Sequence, residues 1–237
     1  MRPHQYNILG DDIGRLELID WLGDDLTVVN TARVSYGKES ETFSEADGKL
    51  LTFLATHGHL SPFRHVQLQF RVKAPIFIKN QWMKHMVGAE VAFKDQPWNE
   101  VSQRYVKSDL EFYIPLQWRK QATKNKQASA GVLDEVDQLA CNDMLEHYYD
   151  YVKATYVRFL ELGIAREQAR IILPLATYTE WIWTASLQAV VHFILLRDHP
   201  GAQWEIRQYA LAMREMCEYV APMATAELLR GLSNEED

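Results

Sequence analysis

Apolar and polar residues alternate from Val66 to Ile78, and this period of about two predicts a strand with one buried face. Pro75 lacks a backbone N–H group, so it marks an edge or the end of that strand. Short apolar runs divided by a Gly-Asp-Asp turn over residues 15–29 predict a second strand that leads into a helix. The short apolar segment 110–115 is expected to be extended.

Four longer segments have apolar residues at the spacing of a helix. They are residues 49–57, 133–162, 164–170 and 178–198. Gly58 and Gly163 follow the first two segments, as expected where a helix ends in left-handed geometry. Residues 117–131 carry few large apolar groups and predict an excursion over the surface.

The composition is that of a globular protein, since 47% of the 237 residues are hydrophobic and 24% are charged. No internal repeat or linker divides the sequence, so a single domain over residues 1–237 is expected. The longest apolar segment, residues 181–196, contains Gln188 and His192, which predicts a buried helix and not a membrane span. The first residues lack the apolar run of a signal peptide.

Charge and cysteine content narrow the functional classes. The net charge of −7 disfavours broad binding to nucleic acid, so any anion site must be local. Cys141 and Cys217 are far apart and have no metal-ligand spacing. We therefore expect no zinc site and no disulfide framework, and a cytoplasmic location fits this use of cysteine.

The stretch from Gln81 to Tyr105 is unusually rich in polar side chains. Its cations, amides and hydroxyls flank a middle that contains glycine and proline, so they are expected at the ends of elements and in a loop. Such positions suit a phosphate-bearing ligand, because guanidinium groups pair with phosphate oxygens and helix starts offer free N–H groups. A solvated polar loop is the alternative interpretation.

Three further features allow two interpretations each. Arg33 and Ser35 either hold a phosphate or make a helix-end interaction, and the second is favoured. The His-x-His spacing at 57–59 invites a metal, but hydrogen bonding is favoured because no carboxylate or cysteine cluster accompanies it. Arg197 lies on a predicted apolar helix, so it should meet either a phosphate or a carboxylate. The candidate carboxylates are Glu180 and Glu205.

Eight blocks from about Ala32 to Tyr209 resemble, in order, those of the flavin-dependent thymidylate synthases. They are TARVS (31–35), HGHLSPFRH (57–65), KAPIF (73–77), QWMKH (81–85), NEVSQRY (99–105), RIILPL (170–175), LR (196–197) and AQWEI (202–206). Enzymes of that family methylate dUMP with methylenetetrahydrofolate and use FAD as the hydride carrier. The resemblance implies an α+β fold, in which a small mixed sheet is packed by several long helices. Residues 133–162 and 181–198 would form much of the core.

The resemblance also implies site residues, cofactors and partners. Residues expected along FAD are Ser35, His59, Ser61, Lys84, His85 and His192. Residues expected to hold dUMP are Gln81, Glu100, Ser102, Arg104, Arg170 and Arg197, with Arg197 and Ser102 as the catalytic pair. NADPH would be the reductant, no metal is implied, and the active sites would be shared between the subunits of a homotetramer.

Two regions depart from the family's pattern. The usual Arg-His-Arg triplet is Lys84-His85-Met86 here, and fifteen residues, 87–101, precede Ser102. Lysine keeps the charge of arginine but not its bidentate fork. Farther on, Ser186, Gln188 and His192 stand where some relatives carry Asn, Arg and Asn.

These departures leave alternative functions open. The enzyme could methylate UMP, or hydroxymethylate dUMP, with the same flavin. A non-catalytic nucleotide-binding homologue is a third possibility. Cys141 and Cys217 lie outside every matched block, so we expect that neither is a catalytic nucleophile.

Overall fold

The computed structural model describes residues 3–85, 98–101, 110–123 and 129–233. The strands of this part are β1 (His4–Tyr6), β2 (Arg15–Leu22), β3 (Gln67–Pro75), β4 (Trp98–Glu100), β5 (Arg119–Gln121), β6 (Ser129–Val132) and β7 (Tyr178–Ser186). Its α-helices are α1 (Asp25–Arg33), α2 (Glu45–Thr56), α3 (Ile76–Trp82), α4 (Glu135–Glu161), α5 (Arg166–Ala169), α6 (Leu187–Arg197), α7 (Trp204–Val220) and α8 (Pro222–Ser233).

The main sheet has the strand order β1-β2-β3-β7-β4, and each pairing in it is antiparallel. The α+β class is therefore confirmed, although the sheet is antiparallel where a mixed one was expected. β5 and β6 form a separate antiparallel pair within the predicted surface excursion. The segment around Phe112 is extended as expected and forms a single bridge to Thr177.

Residues 178–198 are not one helix, which is the largest error of the sequence-based prediction. The first half is the central strand β7, in which Trp181 and Trp183 are buried while Ile182 and Thr184 are only partly so. Aromatic and β-branched residues favour this pleated, half-buried environment. The helix α6 then begins after Ser186, whose side chain caps it by accepting from the Ala189 N–H at 3.3 Å.

The strand β3 ends at Pro75, three residues before the predicted end at Ile78. Pro75 has φ −60° and ψ 149° and stands at the N-cap of α3. Because proline fixes φ and cannot donate to a sheet, it favours the start of a helix over continuation of the strand. The predicted strand–helix pair over residues 15–29 and the helix near 49–57 are both confirmed. Gly58 has the left-handed φ of +68°.

The main core lies between the sheet and the helices α6, α7 and α8. The predicted helix 133–162 is confirmed as α4, but only Tyr149 and Val152 of it are buried. The expectation that this helix forms much of the core is therefore wrong for the isolated chain. Apolar side chains on α4 are instead exposed, among them Val136, Leu139 and Tyr151. In the described ranges, no helix is long and apolar enough to cross a membrane.

Candidate active site

Two buried side chains, Ile78 and Trp82, fix the helix α3 to the core. Trp82 is fully buried, stacks on Phe193 at 4.5 Å and meets Trp181 edge-on at 5.4 Å. Aromatic pairs with these geometries add to the stabilisation that burial provides. Since Trp82 occupies the core side of α3, the polar residues next to it are directed elsewhere. Lys84 is exposed, and His85 is partly buried.

His85 forms the central contact of the candidate site. The Arg197 Nε–H donates a hydrogen bond to His85 Nε2 at 2.8 Å, and the His85 ring meets Phe193 edge-on at 4.9 Å. Burial, together with the nearby charges of Arg197 and His192, lowers the pKa of His85 from 6.5 to about 4. His85 is therefore neutral at neutral pH, and the ring proton resides on Nδ1 because Nε2 is the acceptor.

This contact decides the question of the partner for Arg197. Neither predicted carboxylate is its partner: Glu180 binds Arg15 at 2.8 Å, and Glu205 binds Arg119 at 2.7 Å. Among the described residues, no carboxylate lies at ion-pair distance from Arg197. Burial lowers the pKa of this guanidinium, which shows that its positive charge is held at a cost.

A second group of predicted residues lines a cleft of about 1040 Å³ beside α3. Lys79 Nζ lies 2.8 Å from both carboxylate oxygens of Glu100, and Thr179 Oγ1 donates to Glu100 Oε1 at 2.6 Å. Arg170 is exposed and lines the same cleft. The structure thus brings Glu100 and Arg170 together. Ser102 and Arg104 lie outside the described residues.

Gln81 is oriented by a residue from a distant part of the chain. Its Nε2 donates to Gln203 Oε1 at 2.6 Å, and Gln203 is the residue before α7. This contact connects α3 to the start of α7. The AQWEI block therefore lies next to the QWMKH block in space, although three other blocks separate them in the sequence.

Three other predicted flavin residues come from segments before β3, whereas His192 is partly buried on α6. Ser35, His59 and Ser61 are all exposed. Ser61 begins the 3₁₀ turn Ser61–Arg64, which packs against α1 and the start of α6. Arg64 at the end of this turn donates from Nε to Gln188 Oε1 at 2.6 Å.

The loop that carries Ser35 is tied down by polar contacts. The Arg33 guanidinium lies 2.5 Å from the buried Asp47 carboxylate and also bonds Ser40. Asn30 exchanges two hydrogen bonds with the backbone of Ser40, at 2.8 and 2.9 Å. Arg33 is thus engaged structurally, as the favoured interpretation held.

Both histidines of the His-x-His pair stack on Phe53. His57 stacks on Phe53 at 4.2 Å and places Nδ1 2.9 Å from its carbonyl oxygen, while His59 stacks at 5.8 Å. Within the part of the chain that the structure describes, no group of three His, Cys, Asp or Glu residues is placed to hold a metal.

Neither cysteine belongs to the groups described above. Cys217 is fully buried in α7, and burial raises the pKa of its thiol well above the ordinary value. Cys141 lies on α4, which contributes none of the predicted site residues. A buried thiol with a raised pKa is a poor nucleophile.

Four site residues were missed by the sequence-based predictions: Lys79, Thr179, Gln203 and Arg64. Lys79 and Thr179 both contact Glu100. Lys79 lies on α3, a helix that was not predicted, and Thr179 lies on the strand β7, which was predicted to be a helix. The Gln203 and Arg64 contacts span 122 and 124 positions of sequence. No local pattern carries information about contacts of that range.

Comparison with known proteins identifies the family. The family described as "Thymidylate synthase complementing protein" matches residues 17–223. A flavin-dependent thymidylate synthase of Thermosipho africanus is 40% identical over 226 residues, which cover 95% of this chain and 94% of the relative. One from Thermus thermophilus is 44% identical over 215 residues, covering 91% of this chain and 75% of the relative.

Solved structures show the same fold. Crystal structures of the UMP/dUMP methylase PolB from Streptomyces cacaoi, bound with 5-Br UMP or 5-Br dUMP, both superpose with a TM-score of 0.78. They are 29% and 30% identical to this chain and cover 91% and 90% of it, and 93% of each of those chains is matched. Since the sequence and the fold both agree, the chain belongs to the flavin-dependent thymidylate synthase family.

Proposed function

We propose that this protein methylates dUMP at C5 to form dTMP, with methylenetetrahydrofolate as the carbon donor and FAD and NADPH as the source of hydride. The observation that carries the proposal is the cation of Arg197. It is partly buried, it is oriented by a neutral imidazole, and no described carboxylate neutralises it. A guanidinium in that setting favours an anionic ligand or charge that develops during a reaction.

The proposed nucleotide site combines residues from both described groups with residues outside them. Arg170 and Arg104 would neutralise the phosphate, Ser102 would donate a hydrogen bond to it, and Arg197 and Gln81 would contact the base. Glu100, fixed by Lys79 and Thr179, would accept hydrogen bonds from the nucleotide. The contacts of Lys79 and Thr179 hold the Glu100 carboxylate in one position.

The residues expected along FAD have suitable chemistry for it. Four of them, Ser35, His59, Ser61 and Lys84, are exposed donors, and no carboxylate is among the six. Hydroxyl, imidazole and ammonium groups suit the phosphates, hydroxyls and ring oxygens of a dinucleotide. When bound, FAD would supply the hydride chemistry that no protein side chain offers.

The protein's own residues would act by binding and electrostatics. The Arg197 guanidinium would stabilise negative charge on a uracil carbonyl oxygen as C5 becomes nucleophilic. His85 would keep that guanidinium in place without competing for its charge, since its imidazole is neutral. Ser102 is proposed as the second catalytic residue. No thiol attack on C6 is needed, which agrees with the burial of Cys217.

An anaerobic turnover assay tests the proposal. Purified protein is mixed with FAD, NADPH, methylenetetrahydrofolate and dUMP, and the nucleotide product is identified by mass. A C5-methylated product is expected. A hydroxymethylated nucleotide would move the function to the hydroxymethylase alternative. No conversion despite bound FAD would favour the non-catalytic homologue.

UMP methylation is the second candidate, and the similarity to PolB favours it, since that protein is described as a methylase of both UMP and dUMP. Lys84 in place of the family's arginine also changes the residue next to His85 in the proposed site. Competition between UMP and dUMP in the same assay separates the two candidates. We expect dUMP to be converted preferentially.

Three broader expectations remain proposals. A single domain over residues 1–237 is supported by a core cluster that draws on residues from Leu9 to Leu228. A homotetramer with shared sites is supported by the exposed apolar side chains of α4. Light scattering on the purified protein would measure the assembly. A cytoplasmic location stays a prediction from cysteine use.

A further inference from the structure

Arg64 belongs to a small set of arginines whose charge is not paired. Most arginines in the described ranges meet a carboxylate, as Arg33 meets Asp47 and Arg119 meets Glu205. Within those same ranges Arg64, Arg170 and Arg197 have none at ion-pair distance. Two of these three are residues that we have placed on the nucleotide. The third, Arg64, contacts Gln188 but has not yet been given a ligand.

The guanidinium of Arg64 is held in place without being neutralised. Its Nε donates to the amide oxygen of Gln188 at 2.6 Å, and Gln188 is only 4% exposed. A neutral, buried acceptor fixes the orientation of the group but leaves its full charge. The two terminal nitrogens remain as a fork, the geometry with which arginine binds phosphate oxygens.

The turn that carries Arg64 presents a hydroxyl beside this fork. Ser61 and Arg64 begin and end one 3₁₀ turn, in which side chains three residues apart eclipse each other. Both residues are exposed, while Pro62 and Phe63 between them are buried and fix the turn to the core. The backbone carbonyl of Arg64 also accepts from Gln67 Nε2 at 2.6 Å. The pair is therefore rigidly placed toward solvent.

The pair of Ser61 and Arg64 lies near the start of α6, at whose other end Arg197 contacts His85. Gln188 and His192 are four residues apart on α6, so they lie about 40° apart around the helix and roughly 6 Å apart along it. His192 in turn is close enough to His85 for its charge to lower the pKa of that residue. The Arg64 contact and the His85–Arg197 contact therefore lie near opposite ends of α6, about 14 Å apart along its axis.

The nucleotide phosphate is a less suitable ligand for this pair. Arg64 precedes β3, whereas the cleft of Glu100 and Arg170 lies beside α3, which follows β3. Nine residues of strand span roughly 26–30 Å. A single mononucleotide in that cleft is too short to reach Arg64 in the same chain.

We infer that Arg64 and Ser61 bind the diphosphate group of FAD, and that Gln188 is the positioning residue that orients the Arg64 guanidinium. This inference rests on the proposed function, because it assumes that the protein binds FAD. It assigns the reactive ring to the end of α6 near His85 and the phosphates to the turn that contains Arg64.

FAD affinity of the flavin-free protein tests the inference. We expect Arg64→Gln to weaken FAD binding about 10- to 100-fold, the usual loss for a charged hydrogen bond. Arg64→Lys should fall in between. Riboflavin, which lacks phosphate, should bind both proteins equally, and dUMP binding should not change. Arg230→Gln, which removes an exposed arginine on α8, is the matched control and should leave FAD affinity as it is.

Gln188→Glu separates a binding role from a structural one. A carboxylate there would pair with Arg64 and keep its position, so the thermal stability of the flavin-free protein should hold or rise. FAD affinity should nevertheless fall, because the charge is now neutralised.

Each remaining outcome overturns the inference. Unchanged FAD affinity in Arg64→Gln, or equal losses for FAD and riboflavin, would show that Arg64 is only structural. Weaker dUMP binding with unchanged FAD binding would assign the cation to the nucleotide phosphate. Wild-type protein that takes up no FAD would overturn the proposed function together with this inference, whereas the other outcomes leave the proposed function intact.

Discussion

Arg197 Nε donates a hydrogen bond to His85 Nε2 across 2.8 Å, so a permanent cation and a neutral imidazole form the centre of the candidate site. Both residues come from blocks of the sequence that are more than a hundred positions apart, since the contact spans 112 residues. The lowered pKa of His85, and hence its neutral state at neutral pH, therefore depends on the folded structure.

The first prediction concerns pH. The folded protein holds the pKa of His85 near 4, below the ordinary 6.5, because burial disfavours the charged imidazolium and the charge of Arg197 disfavours it further. Between about pH 6.5 and pH 4, His85 is therefore protonated in the unfolded chain but not in the folded protein. The contribution to the free energy of unfolding is complete above pH 6.5 and is lost as pH falls to about 4.

Denaturant unfolding of the wild type and of His85→Gln across this range measures the effect. The wild type should lose stability relative to the variant as pH falls. Parallel curves would contradict the depressed pKa, and so would a His85 imidazole resonance that titrates near pH 6.5.

The second prediction concerns Arg197. Arg197→Lys keeps the charge but loses the Nε that donates to His85, and lysine has no planar fork. If the guanidinium stabilises charge in the transition state, kcat should fall about 100- to 1000-fold. Steady-state kinetics with dUMP measure it, and circular dichroism checks the fold. A change in KM alone would mean that Arg197 binds substrate and transition state equally.

The third prediction concerns Glu100. Lys79→Met would remove the ammonium that contacts both Glu100 oxygens at 2.8 Å, and only the Thr179 contact would remain. We expect dUMP affinity to weaken about 10- to 100-fold, the loss of one charged hydrogen bond. Isothermal titration calorimetry measures it. Lys49→Met on α2, where the exposed lysine pairs with Glu45, is the control. If both variants bind dUMP with equal affinity, the assignment of Glu100 to the nucleotide site is wrong.

The fourth prediction concerns the ion pair of the partly buried Arg119 and the buried Glu205, which fixes the β5–β6 hairpin to α7. Arg119 bonds both oxygens of Glu205 at 2.7 and 2.9 Å, and Tyr113 donates to the same carboxylate at 3.1 Å. Arg119→Met leaves a buried carboxylate uncompensated and should cost about 3–5 kcal/mol in the free energy of unfolding. Adding Glu205→Gln should restore most of it, because the amide is neutral and still accepts from Tyr113. A double variant no more stable than the single one would argue against this account.

The fifth prediction concerns the cysteines. A Cys141→Ser, Cys217→Ala double variant should retain turnover, because neither thiol is placed to attack a nucleotide. Alanine is chosen at position 217 since a buried, unbonded hydroxyl costs about 1–3 kcal/mol in proteins. Mass spectrometry of the product and a melting curve are the measurements. A folded variant without any turnover would require a catalytic thiol.

Elements of secondary structure that depend on residues close in sequence were predicted well. Arg15–Leu22 with α1, the helix α2 with Gly58 after it, and the helix α4 all follow from local periodicity and end signals. The ordered motif blocks were also sufficient to indicate the family, which the comparisons confirm. The sequence identified site residues within those blocks, such as His85 and Arg197, but not the hydrogen bond between them.

Tertiary structure decided what local pattern leaves ambiguous. Residues 178–186 became a strand because β3 and β4 pair with them on either side, and a short apolar run has no period that separates strand from helix. Arg197 met His85 and not Glu180, because Glu180 already pairs with Arg15 across the sheet.

The sequence by itself therefore determined the family, most helices and the identity of the chemical groups. The partners of those groups were decided only by the tertiary structure, as Arg64 with Gln188 and Lys79 with Glu100 show. Secondary structure is governed largely by neighbours a few positions away, whereas a hydrogen bond across a hundred residues depends on how the whole chain packs.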